Sequence, residues 1–259
     1  MVQFFFKRLF RTKTFYIALG IGTVISLANF FIDIFPNRYY GNTPYTIWLE
    51  SFSPSRLPQI YFQIFPILAV LPMASIYFKD KKSGYINHIL SCGKGKTYFS
   101  VMFLINFFAS GFTLAIPLLL NIYCCFMTLP NQKPTIGSMY SQIFFLMYPH
   151  DTFCMELYYQ HPFLHLLLYV LIAFLIAGIM GSFGLAISFY VKKIFLVYLI
   201  PYIILNIITI IGGERYDLMK MIRQSSDDVY LSVLVTLAVL LMAAAGVIFQ
   251  IGKRKQVFL

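Results

Sequence analysis

The chain has 259 residues, of which 59% are hydrophobic, 19% aromatic and only 11% charged, with a mean hydropathy of +0.77. That composition excludes an ordinary soluble domain, and six bilayer crossings of roughly 20 apolar residues each consume about 120 positions. What is left is too short and too scattered for a fused nucleotide-hydrolysing domain, a dinucleotide-binding domain or any large polar active site, and the net charge of +11 reads as a membrane topology signal and an attraction to anionic lipid, with no nucleic-acid partner.

The first 13 residues place Val2, Phe5, Phe6, Leu9 and Phe10 at helical spacing, with Lys7, Arg8 and Arg11 between them. This predicts a helix lying in the membrane interface, as an anchor for the first span or as a contact for a partner. The first long apolar run, about 15–35, lacks a small-residue cleavage pattern and continues into Asp33, Ile34, Phe35 and Pro36, so it is expected to stay in the membrane. Gly22, Ser26, Asn29 and Asp33 fall on one side of it. Gln59 and Gln63 stand one turn apart at the start of the second span, about 59–78. Polar residues on a lipid-facing helix require burial or water. Asn29, Asp33, Gln59 and Gln63 are therefore the candidate substrate-pathway residues. The competing expectation is that Asp33 reaches the outer surface and pairs with Arg38.

Between spans two and three, Tyr85, Ile86, Ile89 and Leu90 share one helical face, and Gly93 and Gly95 provide a stop. A short amphipathic helix is expected there, resting either on lipid or against a soluble ATPase. Gly95-Lys96-Thr97 imitates the end of a phosphate loop, but the position that needs its first glycine is Leu90, and no strand precedes it. The third span covers about 98–127. The segments 36–58 and 128–162 are rich in proline, which argues for irregular structure with room for a short helix in the second of them. His161 and His165, with His150, Asp151 and Glu156 close in sequence, make a weak metal signal that reads better as interfacial histidines. Cys92, Cys124, Cys125 and Cys154 do not form a disulfide framework, although Cys154 is topologically free to meet Cys124 or Cys125.

The fourth span, about 163–191, carries Gly178, Ser182 and Ala186 at intervals of four, with Gly181 and Gly184 beside them. A stripe of this kind lets a second helix approach closely. Only Lys192 and Lys193 separate it from the fifth span, about 193–211, and the sixth follows at about 229–251. Pro66, Pro72, Pro117 and Pro201 are positioned to bend their helices. Fourteen of the 20 Lys and Arg residues fall in the N-terminus, second loop, fourth loop and C-terminus, against six in the other three segments. The positive-inside rule then puts both termini in the cytoplasm. The expected fold is thus an all-α integral membrane protein, a single domain of residues 1–259 with six transmembrane helices, an interfacial helix and a short cytoplasmic helix.

Taken together, the amphipathic N-terminus, the six spans with both ends inside and the stretch from Asp80 through Gly84, Lys94 and Lys96 to Tyr98 resemble the permease subunit of a type-2 ABC transporter. The likeness runs over essentially the whole chain. It implies a dimer, with an identical or sister permease subunit, bound to two copies of a cytoplasmic ABC ATPase that holds the ATP and Mg, so that this chain carries no cofactor and no catalytic residue. Tyr85, Ile86, Ile89 and Leu90 would take the coupling role, and spans one, two and five would line the substrate path. Gly212 to Asp228 allows at most a short version of the re-entrant helices that such permeases often place before the last span. Members of similar size and aromatic richness resemble exporters of bacteriocins, peptides or hydrophobic drugs, or self-immunity permeases, in bacterial plasma membranes. The alternative from another class is a non-transporting immunity or sensor protein that binds a peptide in the membrane.

Overall fold

A computed structural model describes residues 1–39, 42–49, 56–134, 152–224 and 230–257. Among them are six helices long and apolar enough to cross a membrane and no strand. The helices are α1 Val2–Arg11, α2 Lys13–Asn29 with a π-turn Phe30–Ile34, α3 Arg56–Lys82, α4 Tyr85–Ser91 and α5 Gly95–Thr128. They are followed by α6 Met155–Gln160, α7 Pro162–Ile187, α8 Ile194–Gly212, α9 Leu218–Met221 and α10 Leu231–Val257. The spans are α2 with its π-turn, α3, α5, α7, α8 and α10.

Most boundaries shift by a few residues from expectation, and two of the shifts have a local cause. The fourth span ends at Ile187 instead of 191, because Ser188 turns its hydroxyl onto Leu185 O at 2.5 Å and the chain leaves the helix before Lys192 and Lys193. The first helix stops at Arg11, where Thr12 adopts an extended conformation and returns its hydroxyl to Arg8 O at 2.7 Å. The segment after the fifth span holds a 3-10 turn, Glu214–Tyr216, and the single turn α9, whose first amides are capped by Asp217.

The third and fourth spans make the most extensive helix pair of the bundle, and small residues are the reason. An ideal Cβ on Gly178 would come within 2.6 Å of the Phe107 ring, and one on Gly111 within 2.6 Å of the Phe174 ring. Each helix thus inserts a phenylalanine over the other's glycine. Gly181 and Gly184 likewise admit Ser110 and Val70. Lipid tails are as apolar as the side chains they replace, so helix association here rests on close van der Waals approach and polar links. On the other flank Gly22 lies against Pro117, with only 2.9 Å from its ideal Cβ to the proline ring. The spans differ sharply in enclosure: 71% of the second span's most apolar window is buried, against 17% for the fifth and the sixth. Spans two, three and four are the core of the chain, and spans five and six present most of their surface outward.

Replacing Gly178 with Ala is expected to lower thermal stability in detergent by about 1–3 kcal/mol through overpacking against Phe107. The same change at Gly246, where a Cβ meets nothing within 4 Å, should be neutral or slightly stabilising through helix propensity. Phe107→Leu combined with Gly178→Ala should lose less than the sum of the single changes, which a double-mutant cycle on the unfolding midpoint measures.

Candidate functional site

The strongly basic segments converge on one end of the bundle. Arg8 of α1 reaches Asp80 near the end of α3 with both guanidinium nitrogens, one at 2.7 Å, and Tyr98 at the start of α5 donates its hydroxyl to the same carboxylate. Asp80 is 2% exposed. A buried carboxylate is tolerated only when paired and hydrogen-bonded, and here three elements supply the pairing. Burial pulls the Arg8 pKa down, but the hydrogen bond and charge of Asp80 more than restore it, so the guanidinium stays charged. Aromatic rings surround the pair: Arg8 lies 5.2 Å above Phe4, and Phe5 packs on Tyr98 at 5.1 Å. At the same end, Lys253 of α10 approaches Lys96 O at 3.4 Å, and Tyr190 after α7 donates to Ile248 O.

Helix α4 is docked against this body. Gly84, with φ of 72°, starts it in the left-handed region that favours glycine. Ile86 and Ile89 are 3% and 6% exposed and share a cluster with Phe5, Leu9, Tyr77 and Tyr98. Ile86 and Ile89 are buried within the chain's own packing, with Tyr85 and Leu90 half-buried beside them, where α4 lies against α3 and α5. The face left open consists of Asn87, His88 and Ser91.

The four expected pathway residues separate into two places. Asn29 is 1% exposed and faces span three, where Asn121 donates to Asn29 Oδ1 at 3.3 Å and to Ser26 O at 3.0 Å. Ser26 in turn donates to Pro117 O at 2.7 Å. Asp33 is half-buried and accepts from Asn29 Nδ2 at 2.8 Å, while Arg38 stacks on Phe35 at 4.0 Å. The polar side of span one is therefore an interhelical seam and does not open to a cleft within this chain. Asn121, which sequence reasoning missed, organises that seam and also accepts from Leu49 N at 2.9 Å. The signal available for it was the row of polar residues on one side of span three, Asn106, Ser110, Thr113 and Asn121, all fully buried.

Gln59 and Gln63 instead line a recess of about 290 Å³ between α3 and α8. Tyr202, Asn206 and Thr209 form its wall on α8, and Asp217, Lys220 and Arg223 of the connecting segment close one end. Lys220 Nζ lies 2.8 Å from Glu214, and this ammonium holds the exposed carboxyl below its ordinary pKa.

Above span four, a buried network joins three connecting segments. Trp48 donates its indole N–H to Gln224 Oε1, and the Gln224 amide nitrogen donates to Tyr45 O at 3.3 Å and to His165 Nδ1 at 3.4 Å. His165 Nε2 is 2.9 Å from Phe153 O. A carbonyl only accepts, so Nε2 carries the hydrogen and Nδ1 is free to accept from Gln224: the ring is a neutral tautomer with both nitrogens used. Tyr169 completes the network, receiving Phe153 N at 2.8 Å. His165 is thus a structural link, and His161 sits at the N-terminal boundary of α7. His150 and Asp151 of the weak metal signal lie outside the described residues, among which no group of three or more potential ligands occurs. All four cysteines are free.

Compared with known protein families, curated proteins and solved structures, the chain matches none. Its fold alone defines its class, an all-α multi-pass membrane protein.

Arg8→Met should leave Asp80 buried without its cation and loosen α1, with trypsin cleavage after Arg11 accelerating; breaking such a pair costs about 3 kcal/mol. Arg8→Met with Asp80→Met, which removes both charges, should recover part of the protection. Gln224→Leu strips partners from Trp48, Tyr45 and His165 at about 1–3 kcal/mol for each buried group left unmet. Since Trp48 is the only tryptophan, a shift in its emission and a lower unfolding midpoint should report the loss directly.

Proposed function

We propose that this chain is the membrane-spanning subunit of a bacterial ABC exporter, moving an amphiphilic substrate (a peptide, a bacteriocin or a hydrophobic drug) with energy from ATP hydrolysed in separate subunits. One observation carries the reading: α1, α4 and the near ends of α3 and α5 are fastened into one body around Asp80. A force applied to the open face of α4 is thereby transmitted to spans two and three at once, which is what coupling to an external motor requires.

In this reading the basic end faces the cytoplasm, as the positive-inside rule demands, and two ATPase subunits engage a dimer of permease chains through Asn87, His88 and Ser91. ATP and Mg belong to those subunits. The bulk of the coupling helix acts by rigidity, with Ile86 and Ile89 holding it to the bundle and Tyr85 and Leu90 flanking the contact. Of the pathway residues, Gln59 and Gln63 remain open to a ligand, while Asn29 and Asp33 support the seam between spans one and three.

Purification of the tagged chain from its native membranes, followed by photolabelling with an azido-ATP probe, tests the proposal. A stoichiometric second subunit should take the label while this chain does not. Asn87→Arg with Ser91→Arg, both on the open face of α4, should weaken that association at least tenfold, the equivalent of ~1.4 kcal/mol, with Trp48 emission unchanged. Ile86→Asp is a poor probe for the same question, because its first effect is on the chain's own core. Labelling of no associated subunit would retire the exporter reading in favour of a peptide-binding membrane protein that works without ATP.

A further inference from the structure

We propose that spans two, three and four enclose a binding site for water, held deep in the bundle by Asn106, Ser110 and Ser182. All three side chains are completely buried. Neither carboxamide atom of Asn106 has a hydrogen-bond partner among the described residues, and neither does the hydroxyl of Ser110 or of Ser182. Other hydroxyls in these helices turn back to a carbonyl of the preceding turn, as Thr113 does to Ala109 O at 2.6 Å and Thr209 to Leu205 O at 3.1 Å. Ser110 and Ser182 do not, so their polar atoms stay available to a ligand.

Their positions bring them to one level of the bundle. Asn106 and Ser110 stand one turn apart on the same side of α5. Ser110 Oγ lies over Gly181 of α7, where a Cβ would overlap it, and Ala69 O of α3 is 3.0 Å from the same point. Ser182 follows Gly181, so three spans meet here. Phe107 seated on Gly178 and Phe174 seated on Gly111 hold spans three and four antiparallel in this register. Along α5, which runs from Gly95 to Thr128, Asn106 is about 16 Å from the start and Ser110 about 27 Å from the end. Both are too deep for bulk solvent or a lipid head group to serve as their partner.

Chemistry selects the ligand. The Asn106 carboxamide offers N–H donors and an acceptor oxygen, and each serine hydroxyl both donates and accepts. Pro72, inside α3, has no N–H to give Leu68 O, one residue before Ala69, which adds a carbonyl acceptor. Donors and acceptors in balance call for a ligand that does both. A cation would be repelled by the amide N–H groups and would lack a counterion. Among the described span residues the acids are Asp33, which accepts from Asn29, and Asp80, which is held by Arg8. An uncompensated charge in the hydrocarbon is expensive, whereas water is neutral. At about three hydrogen bonds for each buried water, about two molecules satisfy these groups. The site needs no ATPase and stands apart from the export reading.

The test is hydroxyl-radical footprinting of the full chain in detergent micelles with millisecond X-ray pulses, which generate radicals from bound as well as bulk water, and oxidised residues are located by mass spectrometry. Met102 lies one turn from Asn106 on α5 and Met73 one turn from Ala69 on α3, and both are 0% exposed, so radicals from bulk water do not reach them. Both should be oxidised in the parent above the unirradiated sample. Ser110→Ala with Ser182→Ala should reduce that oxidation several-fold, and so should Asn106→Leu. Each serine change removes a partner of the water, so it should also lower the unfolding midpoint by a few degrees. Methionines that stay unoxidised in the parent would overturn the proposal: with lowered midpoints in the serine variants the spans are joined by direct hydrogen bonds, and with raised midpoints the polar groups are simply unmet. Oxidation undiminished in both the double variant and Asn106→Leu would overturn it as well. A parent midpoint that rises when sodium chloride replaces choline chloride at equal concentration, with no rise in Asn106→Leu, would overturn it in favour of a bound cation.

Discussion

Inside a bilayer, water no longer drives apolar helices together, and every polar group must be met from within the protein. The bundle answers that constraint in two ways. Where helices run deep, glycine allows backbones to close on one another, as when Phe107 covers Gly178 and Phe174 covers Gly111. Part of the buried polar set is joined to partners on another element, as Asn121 joins Ser26, Asn29 and Leu49, whereas Asn106, Ser110 and Ser182 make no side-chain hydrogen bond among the described residues. Spans two, three and four are held by these devices. Spans five and six, which are largely without them, remain outward-facing.

The two ends of the molecule are fastened by different chemistry. At the basic end a charge-assisted bond between Arg8 and Asp80, shared with Tyr98, locks α1 to spans two and three, and the aromatic packing around it also captures α4. At the other end neutral groups do the work: Trp48, Gln224, His165 and Tyr169 bind three connecting segments to span four. A charged clamp is rigid while its partners stay paired and costly to open, which suits a body that receives force. Neutral hydrogen bonds exchange at lower cost, and the recess beside Gln59 and Gln63 lies on that more yielding side.

The likeness to type-2 ABC permeases rested on order and spacing. An apolar stripe on a short loop helix is ambiguous in sequence: Ile86 and Ile89 fit a partner, a lipid surface or the chain's own core equally well. In the structure both are buried in a cluster that also holds Phe5, Leu9, Tyr77 and Tyr98. The polar side of span one was equally ambiguous, because Asn29 fits a water-filled path or a buried seam, and its partner Asn121 is 92 residues away in the chain.

From sequence alone, the number of spans, their order, the short helices at either side of them and the segregation of basic residues were legible, because length, hydropathy and charge are local properties and lipid tolerates few alternatives. The glycine stripe of span four and the turn at Lys192 and Lys193 were legible for the same reason. Which face each polar residue turns to, and therefore whether it links helices or meets a ligand, was not. Asp80 carries no sign that its partner is Arg8, 72 residues earlier, and His165 gives none that Gln224 lies against it. Gln59 and Gln63 share a recess with Lys220 and Arg223 only because α3 and α8 run antiparallel. Such pairings arise from rotation and register between helices, quantities set by side-chain packing across the whole bundle and encoded in no single segment.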